Sequence, residues 1–272
     1  MQFLVPSWFP PGSRMGAMVL FLCEVFEMRT GKFLTAEWRR LAMLNYEVDP
    51  AILAPLVPRG VELDTWNNRH FVSTVGFLFL KTRVLGLPIP FHQNFEEINL
   101  RFYVRRAGLD GWRRGVVFIK EIVPRWAIAT VARVVYNENY VARRMSHRID
   151  PDAGQIETIA PNGSVEYGWR DGESWHRIRA KTIGEAQPLI SGSEEEFITE
   201  HYWGYAAQRD GGCVEYQVEH PRWRVWRTSE ADFECDVERV YGSRFVECLS
   251  AKPSSAFVAD GSAVVVRRGV KI

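Results

Sequence analysis

The sequence predicts an α+β protein dominated by antiparallel strands: one large sheet or barrel with a few helices packed on it. Three observations carry that prediction. Apolar and polar residues alternate over most of the chain from residue 33 onward, turn-forming pairs punctuate the alternation, and few stretches repeat their apolar residues at the step of a helix. No repeat, low-complexity run or linker divides residues 33–272, which are read as a single domain.

Taken in order, residues 38–48 are rich in apolar and aromatic side chains and stop at Asp49-Pro50, a cap residue followed by proline at the start of a helix over 51–57. That helix ends at Pro58-Arg59-Gly60. Residues 61–66 and 70–82 flank Asn67-Asn68-Arg69 and read as a hairpin, and 85–90 as a loop broken by glycine and proline. A second antiparallel pair, 95–105 with 116–123, is closed by the turn at 108–111. Residues 126–136 are the best helical stretch, with Ile128, Val131, Ala132 and Val135 on one side. A hairpin around Asp171-Gly172 joins 165–170 to 174–183; residues 197–206 fit a strand or a helical turn, and 213–220 alternate as a strand. Glu230, Asp232, Glu234, Asp236 and Glu238 alternate with Ala231, Phe233, Cys235 and Val237, which is the pattern of one half-buried strand with a wet acidic face. A short amphipathic stretch after Gly242-Ser243 leads to Lys252-Pro253, and residues 262–268 close the chain as a strand.

Composition narrows the function classes. Of the residues, 46% are hydrophobic and 25% charged, an ordinary globular balance. The 34 Lys plus Arg nearly cancel the 33 Asp plus Glu, so no field draws in nucleic acid or an anionic membrane, and neither is expected as a partner. Only six of those cations are lysines; 28 are arginines. Cys23, Cys213, Cys235 and Cys248 lack metal-ligand spacing and are too sparse for a disulfide scaffold, which reads as a reduced, cytoplasmic protein. The six histidines form no H-E-x-x-H motif and no close pair, so no metal or cofactor is expected. Residues 15–26 are apolar but include Glu24 and are too few for a membrane span, which needs about 20 apolar residues. Residues 1–27 are read as a poorly ordered leader or extension, or as an upstream start ahead of Met28.

Glycine-rich phosphate loops and a G-x-S-x-G elbow are absent, and Gly192-Ser193 is followed by glutamates rather than by a helix able to carry an oxyanion hole. Arg222-Trp223-Arg224-Val225-Trp226-Arg227 mixes cations and aromatics without sorting them onto two faces, unlike a platform for single-stranded nucleic acid. The strongest signal is in residues 95–105. Ile98, Leu100, Phe102 and Val104 share one face, and Glu97, Asn99, Arg101 and Tyr103 the other. Either that polar row is a solvated surface, or it lines a cavity inside a rolled sheet, where an acid, an amide and a forked cation would bind a polar ligand. By the same alternation Lys120 shares a face with Val116, Phe118 and Ile122, while Glu121 joins Val117 and Ile119. A desolvated lysine there would suit Schiff-base chemistry; a snorkelling one would serve only the sheet edge.

Several segments together resemble the YqjF-like family, a domain of unknown function: residues 38–58, Phe95-Glu96-Glu97-Ile98-Asn99-Leu100-Arg101-Phe102-Tyr103-Val104, Ala132-Arg133 with Tyr136 and Tyr140, His220-Pro221-Arg222-Trp223, and residues 255–262. That family is similar to acetoacetate decarboxylase, so the resemblance implies a rolled antiparallel sheet, cone- or barrel-shaped, around a central cavity. It also implies sites. The cavity arginine of the first strand falls near Arg39 and the glutamate ahead of the fourth on Glu97. The Tyr-Pro step before the reactive lysine pair corresponds to Tyr140-Val141, which puts Ala142 in the lysine's slot and Arg143 in its activating neighbour's. No lysine lies between Lys120 and Lys181. Without a primary amine no imine forms with a β-keto acid, and a guanidinium is not nucleophilic at neutral pH, so acetoacetate decarboxylation is disfavoured.

Two readings follow from these residues. The first is a cavity-bearing protein that binds a small carboxylate or carbonyl compound, with Arg39, Arg101 or Arg143 holding the anion and Glu97, Asn99 and Tyr140 beside it. The second is a lyase, hydratase or isomerase that uses Glu97 as general acid or base. A third, structural reading fills the cavity with the protein's own side chains in an oligomer; homo-oligomer formation is left open. His220 and Trp223 are read as packing residues around Pro221.

Overall fold

The computed structural model describes residues 31–89, 92–124, 139–150 and 162–272. The expected leader over 1–27 and the helix over 126–136 lie outside them. β1 (Lys32–Glu47) leads into a short α1 (Pro50–Leu53), which begins where Asp49 Oδ1 accepts the amide of Ala51 at 2.8 Å. Then come β2 (Glu62–Leu63), β3 (Phe71–Val84), β4 (Leu87–Pro88), β5 (Phe95–Gly108), β6 (Gly111–Val123), β7 (Tyr140–Ala142), β8 (Arg144–Asp150), β9 (Ser164–Asp171) and β10 (Ser174–Pro188). The chain ends with α2 (Glu194–Thr199), β11 (Trp203–Ala207), β12 (Cys213–Glu219), β13 (Arg224–Glu234), α3 (Val237–Tyr241), α4 (Val246–Ser250), β14 (Ser255–Arg267) and β15 (Val270–Lys271).

All of these strands join one sheet, ordered β15-β12-β11-β6-β5-β3-β1-β14-β13-β10-β9-β8 along its main path. The pairings are antiparallel except β6–β7 and β6–β11. Val218 opposite Val266 and Glu219 opposite Val265 bring β12 against β14, so the path returns on itself as a partial ring. The remaining strands β13, β10, β9 and β8 extend from that ring. No helix among the described residues is long and apolar enough to cross a membrane.

The sheet buries both faces. Inside the ring Met43, Val75, Phe77, Phe95, Tyr103 and Phe257 pack with Phe197 and Ile198 of α2. On the other face Leu44, Leu100, Phe102, Tyr167 and Trp169 pack with Val240 and Tyr241 of α3 and Leu249 of α4. Each fully buried large apolar side chain contributes about 1.5–3 kcal/mol, so both faces hold the fold. Because the outer strands double back over β3 and β5, residues of β5 face a core on either side.

Three sequence expectations are corrected. Residues 61–66 do not pair with 70–82: β2 pairs with β5, and the Asn67-Asn68 turn is closed by the bridge of Trp66 to Arg69, both asparagines taking positive φ. The acidic row divides, because Asp236 leaves the strand to cap α3, its side chain accepting the amide of Arg239. In β13 itself Glu230, Asp232 and Glu234 stand opposite Lys181, Arg179 and Arg177. The glutamates after Ser193 do open a helix: Ser193 Oγ accepts the amide of Glu196, and Glu196 Oε2 accepts that of Gly192, a reciprocal cap.

Two bulges decide which side chains face inward. In β1, Trp38 belongs to the inner core and so do Leu41 and Met43, an odd-numbered step that regular alternation forbids. The irregularity lies between Arg39 and Ala42, with Arg40 at φ 57°. Opposite it Gly261 runs at φ +79°, where a Cβ would stand 2.0 Å from the carbonyl oxygen of Trp38. In β6 the register slips between Lys120, opposite Leu100, and Phe118, opposite Arg101. Val116 and Phe118 therefore face the inner core, whereas Lys120 and Ile122 face the outer one. The expected shared face of Lys120 with Val116 and Phe118 is broken there.

Candidate functional site

β5 has no extra residue of its own, and its alternation survives. Glu97, Asn99, Arg101 and Tyr103 point inside the ring, all nearly withdrawn from solvent. The neighbours on adjacent strands are set by register. Phe77, Val75 and Ser73 of β3 stand opposite Glu97, Asn99 and Arg101, and Glu121 of β6 stands opposite Asn99. The short parallel strand β7 then adds Tyr140 beside Glu121 and Ala142 beside Val123.

Glu97 is 3% exposed. Its Oε1 accepts Asn99 Nδ2 at 3.0 Å and its Oε2 accepts the Tyr140 hydroxyl at 3.3 Å. Burial pushes its carboxyl up to about 7, against the lowering effect of those two hydrogen bonds and of the Arg101 charge. The Tyr140 phenol is raised well above its ordinary value by burial and by the nearby Glu121 and Glu97. Arg101 is 9% exposed; its Nη2 donates to the Ile198 carbonyl at 3.3 Å, and its guanidinium lies 5.7 Å from the Tyr103 ring centre. No described carboxylate forms an ion pair with it. Two buried polar atoms of the row have no partner: Arg101 Nε and Asn99 Oδ1. The Trp38 indole Nε1 is a third such atom, on a ring packed 5.5 Å from Phe77.

Below Arg101 a chain of hydrogen bonds ties the inner wall together. Tyr103 donates to Ser73 Oγ at 2.6 Å, Ser73 to Asn45 Oδ1 at 2.6 Å, and Asn45 Nδ2 to Ser255 Oγ at 2.9 Å. Ser255 in turn donates to Glu194 of α2. Satisfied in this way, the polar groups hold one geometry for β1, β3, β5 and β14.

The other sequence candidates lie elsewhere. Arg39 is on the opposite face of β1 from Trp38, where Nε and Nη2 donate to Glu37 Oε2 at 3.1 and 3.0 Å and Nη1 to the Gly261 carbonyl at 3.4 Å. Arg143 donates to Asp171 Oδ1 at 2.7 Å and to the Ala142 carbonyl at 3.0 Å. Neither converges on Glu97, a correction to both as partners of its anion. The six lysines also lie off the inner face. Lys120 donates to the Val240 carbonyl beside Tyr241, its amine lowered by burial and then by Arg143; Lys81, Lys181 and Lys271 pair with Glu37, Glu230 and Asp210; Lys32 and Lys252 are exposed. His220 stacks on Trp223 at 4.2 Å, and Trp223 Nε1 donates to Ser262 Oγ at 2.9 Å.

Sequence reasoning missed Glu121, Asn45 and Ser73. Asn45 and Ser73 had a signal, since each interrupts an apolar run. Glu121 had none, because the bulge that turns it inward leaves no mark in the sequence. Two surface clefts, about 710 Å³ beside Arg59, Arg106 and Lys271 and about 300 Å³ beside Arg148, Glu166 and Arg179, share no residue with the inner row. Among the described residues no group of three His, Cys, Asp or Glu side chains could hold a metal ion.

A family model described as an uncharacterized conserved protein, DUF2071, matches residues 35–263. The chain belongs to the DUF2071 family. It is similar to the uncharacterized protein YqjF of Bacillus subtilis (strain 168), with 26% identity over 217 residues that cover 79% of this chain and 83% of that one. Among solved structures, the DUF2071 chain is similar to the enduracididine biosynthesis enzyme MppR complexed with pyruvate, with a TM-score of 0.64, 14% identity, and 90% and 91% of the two chains covered. It is also similar to acetoacetate decarboxylase from Legionella pneumophila, with a TM-score of 0.61, 12% identity and 90% of each chain covered. These two likenesses are of fold: the DUF2071 chain shares the acetoacetate decarboxylase-like architecture.

Proposed function

We propose that the inner face of this sheet binds a small carboxylate or carbonyl compound, with Arg101 meeting the anionic end and Asn99 and Glu97 orienting the rest. One observation carries the reading: a buried guanidinium without a carboxylate partner among the described residues, its Nε unpaired. Withdrawing a cation from water without a counter-charge costs several kcal/mol, which an anionic ligand relieves. Asn99 Oδ1, orphaned beside it, supplies an acceptor for a hydroxyl or enol of the same ligand. A fold neighbour complexed with pyruvate is in keeping with a ligand of this size. The reading contains no Schiff base, in keeping with the place of the six lysines, and it puts a soluble single domain over residues 33–272 in the cytoplasm.

A second reading rests on Glu97. A carboxyl brought to about 7 exchanges a proton readily at neutral pH, which suits a lyase, hydratase or isomerase with Glu97 as general acid or base.

Thermal-shift screening of small organic acids tests the binding reading. A ligand at roughly 100 times its dissociation constant adds about 2.7 kcal/mol of stability. The parent protein is expected to respond to 2-oxo acids and related carboxylates, and Arg101→Met to lose the response. A response that survives Arg101→Met refutes the assignment of Arg101. Borohydride trapping with acetoacetate is expected to leave every lysine unmodified.

A further inference from the structure

Among the described strands β8 ends the sheet path and pairs through its backbone with β9 alone, from Arg144 opposite Arg170 to Asp150 opposite Ser164. In an antiparallel strand alternate N–H and C=O groups turn away from the paired neighbour, and those of residues 144–150 have no other backbone partner among the described residues. An edge of seven residues with open hydrogen-bonding groups is a template for another strand. Its side chains sort into two rows. Arg144, Ser146, Arg148 and Asp150 are exposed on one face, while Met145 and Ile149 pack against the outer core on the other, with His147 Nδ1 2.7 Å from Glu96.

The sequence Arg144-Met145-Ser146-His147-Arg148-Ile149-Asp150 is self-complementary about its centre. Laid antiparallel on a second copy with His147 opposite His147, it sets Arg144 against Asp150 at both ends and Met145 against Ile149 on the core side. Every neighbouring arrangement that keeps the two faces is worse. A shift of one face-preserving step places Arg144 opposite Arg148 in one direction and Arg148 opposite Arg148 in the other; parallel in-register pairing stacks each arginine on its twin. Directly opposed like charges destabilise a pair and opposite charges stabilise it, so the charges select one register. The apolar layer of the outer core would then run on across the seam through Met145 and Ile149. Trp175, half exposed and 6.0 Å from the Arg144 guanidinium, flanks the end of the seam.

We infer that the chain forms a two-fold symmetric dimer by antiparallel pairing of β8 with β8 of a second copy, centred on His147. The interface is isologous, so each contact is made twice.

The full-length His147→Cys variant tests the register. Opposed Cα atoms across antiparallel strands lie about 4.5 or 5.5 Å apart, within the span a disulfide bridges. Mild oxidation is expected to yield a covalent dimer of His147→Cys and none of the parent. Adding Arg144→Asp, or Asp150→Arg, is expected to remove the cross-link and weaken association in sedimentation at least tenfold, and combining both reversals to restore it. The restored double reversal also separates a lost contact from a misfolded chain. A parent that sediments as a monomer at every concentration, an absent cross-link, or one indifferent to Arg144→Asp overturns the inference.

Discussion

Asp64, just after β2, and Glu97 in β5 are both carboxylates sealed from solvent, 4% and 3% exposed, yet their acidities diverge. Burial raises both. At Asp64 hydrogen bonds from His201 Nε2 at 3.3 Å and Arg114 Nε at 2.7 Å outweigh that effect and bring the carboxyl down to about 2. At Glu97 the donors are an amide and a phenol, and the Arg101 charge acts on it without contact, so burial wins and the carboxyl rises to about 7. Burial held His201 down to about 4 despite Asp64, so the imidazole is neutral at pH 7 and Arg114 is the counter-ion that matters. A touching guanidinium makes a buried acid a permanent anion and a structural tie; one held at a distance leaves it able to exchange its proton.

The largest expected effect breaks the comparison at Glu97. An acid whose folded-state value lies above its ordinary 4.5 favours folding while protonated, and this advantage is lost as pH rises through about 7. Glu97→Gln is therefore expected to be more stable than the parent by about 3 kcal/mol at pH 8 and equal to it near pH 4, measured by urea unfolding at both pH values. Equal stability at pH 8 would show that Glu97 is not desolvated.

Asp64 has the opposite sign. Its lowered value favours folding when ionised, fully above 3.8 and progressively less as pH falls through about 2. Asp64→Asn is expected to lose about 2 kcal/mol at pH 7, below the usual cost of breaking a buried pair because Arg114 reaches solvent. Unfolding curves of the two variants at pH 7 should thus shift in opposite directions. Arg101→Met is expected to raise the stability of the unliganded protein by about 1 kcal/mol, since an unpaired buried charge is removed. The smallest change belongs to Arg39→Ala, about 1 kcal/mol or less at its partly exposed pair with Glu37, with any carboxylate-induced shift in melting temperature retained.

How much of this was legible varied by element. The two rows of β5 could be counted off because the strand is regular, and the 165–170 and 174–183 hairpin because Asp171-Gly172 marks its turn. Simple counting from Leu41, Met43 and Asn45 would place Arg39 on the inner face with them; the bulge at Arg40 turns it away and joins it to Glu37. Glu121 and Lys120 exchange faces for the same reason. An inserted residue changes the parity of everything beyond it, and its position depends on the strand alongside, which local sequence does not encode.

By itself the sequence determined the strand-rich class, the family likeness, the polar row of Glu97, Asn99 and Arg101, and a supply of only six lysines. Those are properties of composition and of period along one strand. The tertiary structure alone decided that the row faces inward, that Glu121 joins it, and that Arg39, Arg143 and Lys120 do not. Convergence and burial depend on register between strands distant in the chain. Burial, which outweighs Asn99, Tyr140 and the Arg101 charge, is what brings Glu97 to about 7.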